Sequence, residues 1–162
     1  MHFETSDDWR LGARQMLAVE EGAKAVPYDD KTGHQLHAPV GNMTIGVGRN
    51  LDAKPLKTRE IVFLLDNDID DAVKDCKAVI GDFEYRALCE VHQYALINMA
   101  FALGRAGLDR FNNFKQAIKE KRFRDAADHV IDSLWAKQAP NRVHRVAEML
   151  RIAEYPAHYL KG

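Results

Sequence analysis

Glu21 and Asp30, nine positions apart, are two carboxylates whose setting could support joint chemistry. Trp9, Ala13, Met16 and Leu17 recur at helical spacing ahead of Glu21, Ser6 is a candidate N-cap, and Gly22 follows as a natural helix terminator. Glu21 therefore falls in the last turn of a helix, where the negative end of the helix dipole disfavours ionisation. A general acid must hold its proton until a leaving group takes it, so the position suits one. It suits a solvated glutamate as well. Asp30 lies in Tyr28-Asp29-Asp30-Lys31-Thr32-Gly33, on the chain leaving that helix. Aspartates before glycine also form turns, so a turn role stands beside a catalytic one. Taken together, the two acids match the requirement of glycoside hydrolysis: one protonates the leaving oxygen and the other assists attack at the anomeric carbon.

A second candidate is Thr44-Ile45-Gly46-Val47-Gly48. Met43 to Gly48 reads as a short strand, with Ile45 and Val47 turned to the core. Thr44, Gly46 and Gly48 then share the other face, a hydroxyl and two bare positions against which a polymer could lie. A bulge or bend is the competing explanation. Asn98 sits in an otherwise apolar helical stretch and needs hydrogen-bond partners; Phe101 is one turn further on. Arg142 falls in the first turn of the last helix, unfavourable for a cation unless it points at a carboxylate. His34 and His37 lie in a polar, Gly- and Pro-rich loop without further ligands nearby, which reads as solvated rather than metal-binding. No P-loop, nucleotide-binding glycine pattern or Gly-x-Ser-x-Gly elbow is present.

The elements that must position these residues follow from periodicity. From Ala23 to about Lys54 the chain is rich in Pro and Gly and reads as a small, loop-rich β-sheet. From Thr58, Ile61, Leu65, Ile69, Ala72, Cys76 and Val79 form one helical stripe closed by Gly81. A second helix is expected from about Glu84 to Leu103, ended by Gly104; its Tyr94–Leu103 part is apolar nearly all round and should be central. Shorter helices are expected near Asn113–Lys121 and Arg124–Leu134, and a last one from Pro140. The pattern is α+β: a small β-sheet lobe and a larger all-helical lobe joined by a long helix. We read residues 1–162 as a single domain. About 22–56 form the β-containing lobe, 57–81 the connecting helix, and 82–162 with the N-terminal helix the helical lobe.

Hydrophobic residues make up 46% and charged residues 29%, the balance of an ordinary globular protein. No apolar run approaches the roughly 18 residues of a membrane span, and Met1-His2-Phe3-Glu4-Thr5 lacks the pattern of a signal peptide. The formal net charge is −1. Residues 1–81 carry 10 Lys+Arg against 14 Asp+Glu, a net of −4; residues 82–162 carry 13 against 10, a net of +3. The basic half could face an anionic polymer, but no basic run interleaved with aromatics points to nucleic acid. Cys76 and Cys89, the only cysteines, are read as reduced core thiols.

Four blocks, in this order and spacing, resemble the phage lysozymes (endolysins), most like the T-even phage type, from about Met16 to Tyr155. They are Glu21-Gly22; Tyr28-x-Asp30-x-x-Gly33; Thr44-Ile45-Gly46-Val47-Gly48; and Ala95-Leu96-Ile97-Asn98-Met99-Ala100-Phe101, followed by Ser133-Leu134-Trp135 and Gln138-Ala139-Pro140-Asn141-Arg142. The resemblance implies a lysozyme-like α+β fold and inverting cleavage of the β-1,4 bond between N-acetylmuramic acid and N-acetylglucosamine in bacterial peptidoglycan. It implies a monomer with no cofactor and no metal. Glu21 is then the general acid, Asp30 with Thr44 positions or activates the water, and Arg142 pairs with the glutamate. Asn98, Phe101, Gly46, Asn50, Phe114 and His129 take supporting or substrate-binding places. A lytic transglycosylase, needing one acid alone, and a non-catalytic peptidoglycan-binding phage protein are the alternatives; Asp30 and Thr44 argue against the first, and the full set with Arg142 against the second. Without a leader, the protein is expected to wait in the cytoplasm of the infected or lysogenic bacterium and to reach the wall by a separate release mechanism.

The sequence departs from those relatives in several places. Thirteen residues separate Asp30 from Thr44, a longer stretch than in the relatives, and could shape substrate fit or act as a lid. Asp52–Lys57 is shorter. Arg49 stands where a histidine pairs with an aspartate in the relatives, and Asp68 matches that partner, so an Arg49–Asp68 ion pair is expected. Phe114 and His129 replace polar cleft residues.

Overall fold

The computed structural model describes residues 9–29, 31–38 and 40–161. The N-cap expected at Ser6, and Asp30 and Pro39, lie outside the described residues. Helix α1 runs Arg10–Glu21 and buries Ala13, Met16 and Leu17 of the expected stripe, while Trp9, its first member, caps the helix and is exposed. Its outer face is tied to helix α2, Thr58–Ile80. Arg14 grips Asp66 with Nε at 2.6 Å and Nη2 at 2.9 Å, and Arg10 donates to Asp70 at 2.8 Å. Such forked guanidinium–carboxylate contacts fix orientation as well as proximity.

Between α1 and α2 lies a small β region. Tyr28 bridges Gln35 across a tight turn whose Asp29 carboxylate accepts from Lys31 N, Thr32 N and Thr32 Oγ1. Strands β1, Thr44–Ile45, and β2, Arg49–Asn50, pair antiparallel with Thr44 opposite Asn50 and Ile45 opposite Arg49. The segment is tied back to α1's exit by Leu56 N donating to Ala25 O at 2.9 Å.

This corrects the expectation of one strand over Met43–Gly48. Gly46 and Gly48 have φ of +56° and +68°, so Gly46-Val47-Gly48 reverses the chain and starts a second strand. Only glycine takes such angles without steric cost. Ile45 and Val47, expected in the core, are exposed, Val47 fully. The glycines make a turn, not a flat floor.

The remaining helices build the larger part of the molecule: α3 Asp82–Arg86, α4 Glu90–Asp109, α5 Asn112–Lys119, α6 Phe123–Ile131, α7 Leu134–Gln138 and α8 Pro140–Ile152, then a 3-10 turn at Ala157–Lys161. The single helix expected over Glu84–Leu103 is divided, since α3 ends at Arg86 and α4 begins four residues later. Gly104, with φ +64° and ψ 170°, interrupts α4 at the end expected from sequence. Helix α4 is central, packed against α1, α2 and α8, and buries Tyr94 through Ala100 without a gap. An all-round apolar helix requires such a place. Cys76 is buried, as expected, but Cys89 is exposed at the N-cap of α4, because the break before Glu90 brings it to the surface. Among the described residues no helix is long and apolar enough to cross a membrane.

Candidate active site

Glu21 is the last residue of α1, and Gly22, with φ +73°, turns the chain away immediately after it. Arg142 is the third residue of α8, following Pro140 at the first helical position. Its Nη1 donates to Glu21 Oε1 at 2.6 Å. Its Nε donates to Asn98 Oδ1 at 2.6 Å, and its Nη2 reaches Asn98 O at 3.4 Å. The guanidinium fork thus spans two helices, offsetting its unfavourable position at the start of α8. The Arg142 side chain is 12% exposed and that of Glu21 41%, so the arginine lies behind and the carboxylate faces outward. Asn98, wholly buried in α4, spends its amide oxygen on Arg142 and donates through Nδ2 to Tyr159 Oη at 3.5 Å.

Beside Glu21 opens a cavity of about 220 Å³, walled by Leu17, Tyr28, Leu56, Leu65 and Phe101, with Asp68 also on its lining. Burial and the nearby Asp71 charge hold the Asp68 carboxyl above its ordinary value. The expected Arg49–Asp68 ion pair is absent. Arg49 is bound to Glu60 and also donates to the carbonyls of Lys54 at 3.0 Å and Pro55 at 2.6 Å. The cause is local. The segment joining β2 to α2 curls around the guanidinium, and Glu60 sits in the first turn of α2. Asp68 lies eight residues further, about 12 Å along the helix. Glu60 also accepts from Lys57 N at 2.7 Å, capping α2. The hydrogen bond from Arg49, then that from Lys57 N, hold its carboxyl down at about 2.

The other candidates fall in different places. Phe101 lines the cavity beside Glu21. Thr44 is exposed on β1, and its Oγ1 donates within the hairpin to Asn42 O at 3.2 Å. Asn50 accepts from Asp52 N and Ala53 N, shaping the turn after β2. Gly46 belongs to the hairpin turn. Phe114 is fully buried, edge-on to Phe111 in the helical core, and so is placed to pack rather than to touch a ligand. His129 is half-buried in the last turn of α6. His34 and His37 are exposed.

Sequence reasoning passed over Glu20, Arg145 and Tyr159. Arg145 donates to Glu20 through Nε at 2.9 Å and Nη2 at 2.6 Å, and Tyr159 donates to Glu20 Oε1 at 2.5 Å. Burial pushes the Glu20 carboxyl up, but the Arg145 and Tyr159 hydrogen bonds and the charges of Arg145 and Arg142 outweigh it and hold the group below its usual range. The signal was present: two adjacent glutamates end one helix, and two arginines three positions apart share a face of another.

An outward carboxylate held from behind by a buried guanidinium, beside a mostly apolar cavity in an α+β fold, has the form of a site that offers a proton to a bound molecule. Comparison with known proteins finds relatives that the chain resembles. The chain is 27% identical to a Dictyostelium discoideum protein named probable T4-type lysozyme 2, over 82% of this chain and 89% of that one. It is 24% identical to probable T4-type lysozyme 1 of the same organism, over 98% of this chain and 89% of that one. It is also 27% identical, over 90% of its length, to the pre-baseplate central spike protein Gp5 of Enterobacteria phage T4, of which it spans 28%. No family model matches the chain. The resemblance to T4-type lysozymes read in the sequence is thus shown across most of the chain.

Proposed function

We propose that this protein is a peptidoglycan hydrolase, cleaving the β-1,4 bond between N-acetylmuramic acid and N-acetylglucosamine with inversion, and that Glu21 is its general acid. The observation that carries the reading is the Glu21–Arg142–Asn98 arrangement at the end of α1. Arg142 occupies Oε1 of Glu21, which leaves Oε2 to carry the transferable proton toward a glycosidic oxygen. In the proposed step, Glu21 gives that proton to the leaving oxygen as the glycosidic C–O bond breaks. A water attacks the anomeric carbon from the opposite face, with Asp30 taking its proton and Thr44 helping to place it. Support comes from the names of the relatives and from the presence of both carboxylates and the threonine in the chain. In the same reading, α2 is the helix that joins the β-containing lobe to the helical one.

Release of dye from labelled Gram-negative sacculi tests the proposal. Wild type should solubilise them, and Glu21→Gln and Asp30→Asn should each lose roughly 100-fold or more. Full activity of Glu21→Gln would remove Glu21 as the acid. Folded wild type that releases nothing would end the hydrolase reading.

A further inference from the structure

Behind the Glu21–Arg142 pair lies a second ion pair, one residue back along α1 and one turn on along α8. The Glu20 side chain is 4% exposed. A buried carboxylate is costly unless fully paired, and an apolar residue could fill that side of α1. The direction of its hydrogen bonds shows what Glu20 does there. Glu20 carries no proton to give, so the Tyr159 hydroxyl donates to it, at 2.5 Å. Burial, then the bond to Glu20, push that phenol well above its ordinary value, so it stays a donor. With its hydrogen committed, the Tyr159 oxygen can only accept, and it does so from Arg145 Nε at 3.3 Å and from Asn98 Nδ2 at 3.5 Å. The Asn98 amide is thereby turned with its oxygen toward Arg142, which can only donate. The path from Glu20 to Glu21 runs through the 3-10 turn, α4 and α8: Tyr159, Asn98 and Arg142 Nε each donate toward Glu20, and Arg142 Nη1 donates onward to Glu21. Arg145 is meanwhile engaged by Glu20 through Nε and Nη2, leaving Arg142 to Glu21.

We propose that Glu20 is a positioning residue: with Arg145 and Tyr159 it sets the orientation of Asn98 and so holds the Arg142 guanidinium on Glu21. The role in turnover rests on Glu21 being the acid; the role in geometry does not. Two readouts keep these apart. The first is the Arg142 Nε–H signal in 15N–1H spectra, assigned by its loss in Arg142→Lys. It should exchange slowly with solvent in wild type and roughly tenfold faster in Glu20→Gln and Tyr159→Phe, the second of which keeps the packed ring. The second is steady-state kinetics on soluble glycan fragments. There kcat should fall roughly tenfold in both variants with KM unchanged, and Glu20→Asp should recover part of it. An unchanged Arg142 signal in both folded variants would overturn the proposal, as would wild-type kcat in an active enzyme. A wild type inactive on every glycan would refute Glu21 as the acid, and the Arg142 signal would still decide the relay.

Discussion

Arg142 binds Glu21 and Asn98 with different nitrogens of one guanidinium, each at 2.6 Å, and so couples the end of α1 to the centre of α4. Neither contact is available to a lysine at the same time, because an ammonium is a single point of charge on a flexible stem. Arg142→Lys is therefore expected to lose activity on sacculi roughly tenfold or more while costing about 1–2 kcal/mol of stability. Dye release and urea unfolding measure both. Wild-type activity in Arg142→Lys would mean that charge alone suffices there.

A second relationship is testable by acid. Glu60, held at about 2 by Arg49 and by Lys57 N, lies below its unfolded value near 4.5. Its contribution to stability is therefore complete above about pH 4.5 and is lost as the pH falls toward 2. Glu60→Gln should flatten the acid limb of stability in that window, and a double-mutant cycle at neutral pH should couple Arg49 to Glu60. The same cycle with Asp68 should show none. Coupling to Asp68 instead would restore the pairing expected from sequence.

That reversal shows what was legible and what was not. The stripe on α1 and the one on α2, the centrality of α4 and the start of α8 at Pro140 all follow from local periodicity and helix-end chemistry, which the chain carries in its own neighbourhood. Arg142 was legible as an arginine seeking a carboxylate, because its cost at a helix start is local too. The partner of Arg49 was not, since it depends on how the short Asp52–Lys57 segment curls around the guanidinium. Ile45 and Val47 misled for a related reason: alternation marks a strand only while the backbone stays extended, and two positive φ angles turn it back.

The hairpin makes its own prediction. Gly46→Ala and Gly48→Ala should each cost about 1 kcal/mol, because alanine resists φ of +56° and +68°. Val47→Thr should be neutral to within about 0.5 kcal/mol, as for other exposed positions. A costly Val47→Thr with harmless glycine replacements would favour a continuous strand facing the core.

The two cysteines should separate cleanly by reactivity. Cys76 is buried, and desolvation, then the Asp75 charge, push its thiol up, away from the reactive thiolate. Cys89 is exposed. Ellman's reagent should label one thiol in the native protein and two after unfolding, and Cys89→Ser should remove the native reaction. Two fast thiols in the native state would place Cys76 nearer the surface than described.

The central claim is best tested by the products. Purified protein and Glu21→Gln are incubated with Gram-negative sacculi, and the released muropeptides are resolved by mass spectrometry. Hydrated fragments ending in reducing N-acetylmuramic acid from wild type, and none from Glu21→Gln, are the predicted result. Anhydro ends would make the enzyme a transglycosylase and leave Asp30 without a catalytic part, and no fragments from folded protein that still sediments with sacculi would make it a binding module; either contradicts the account.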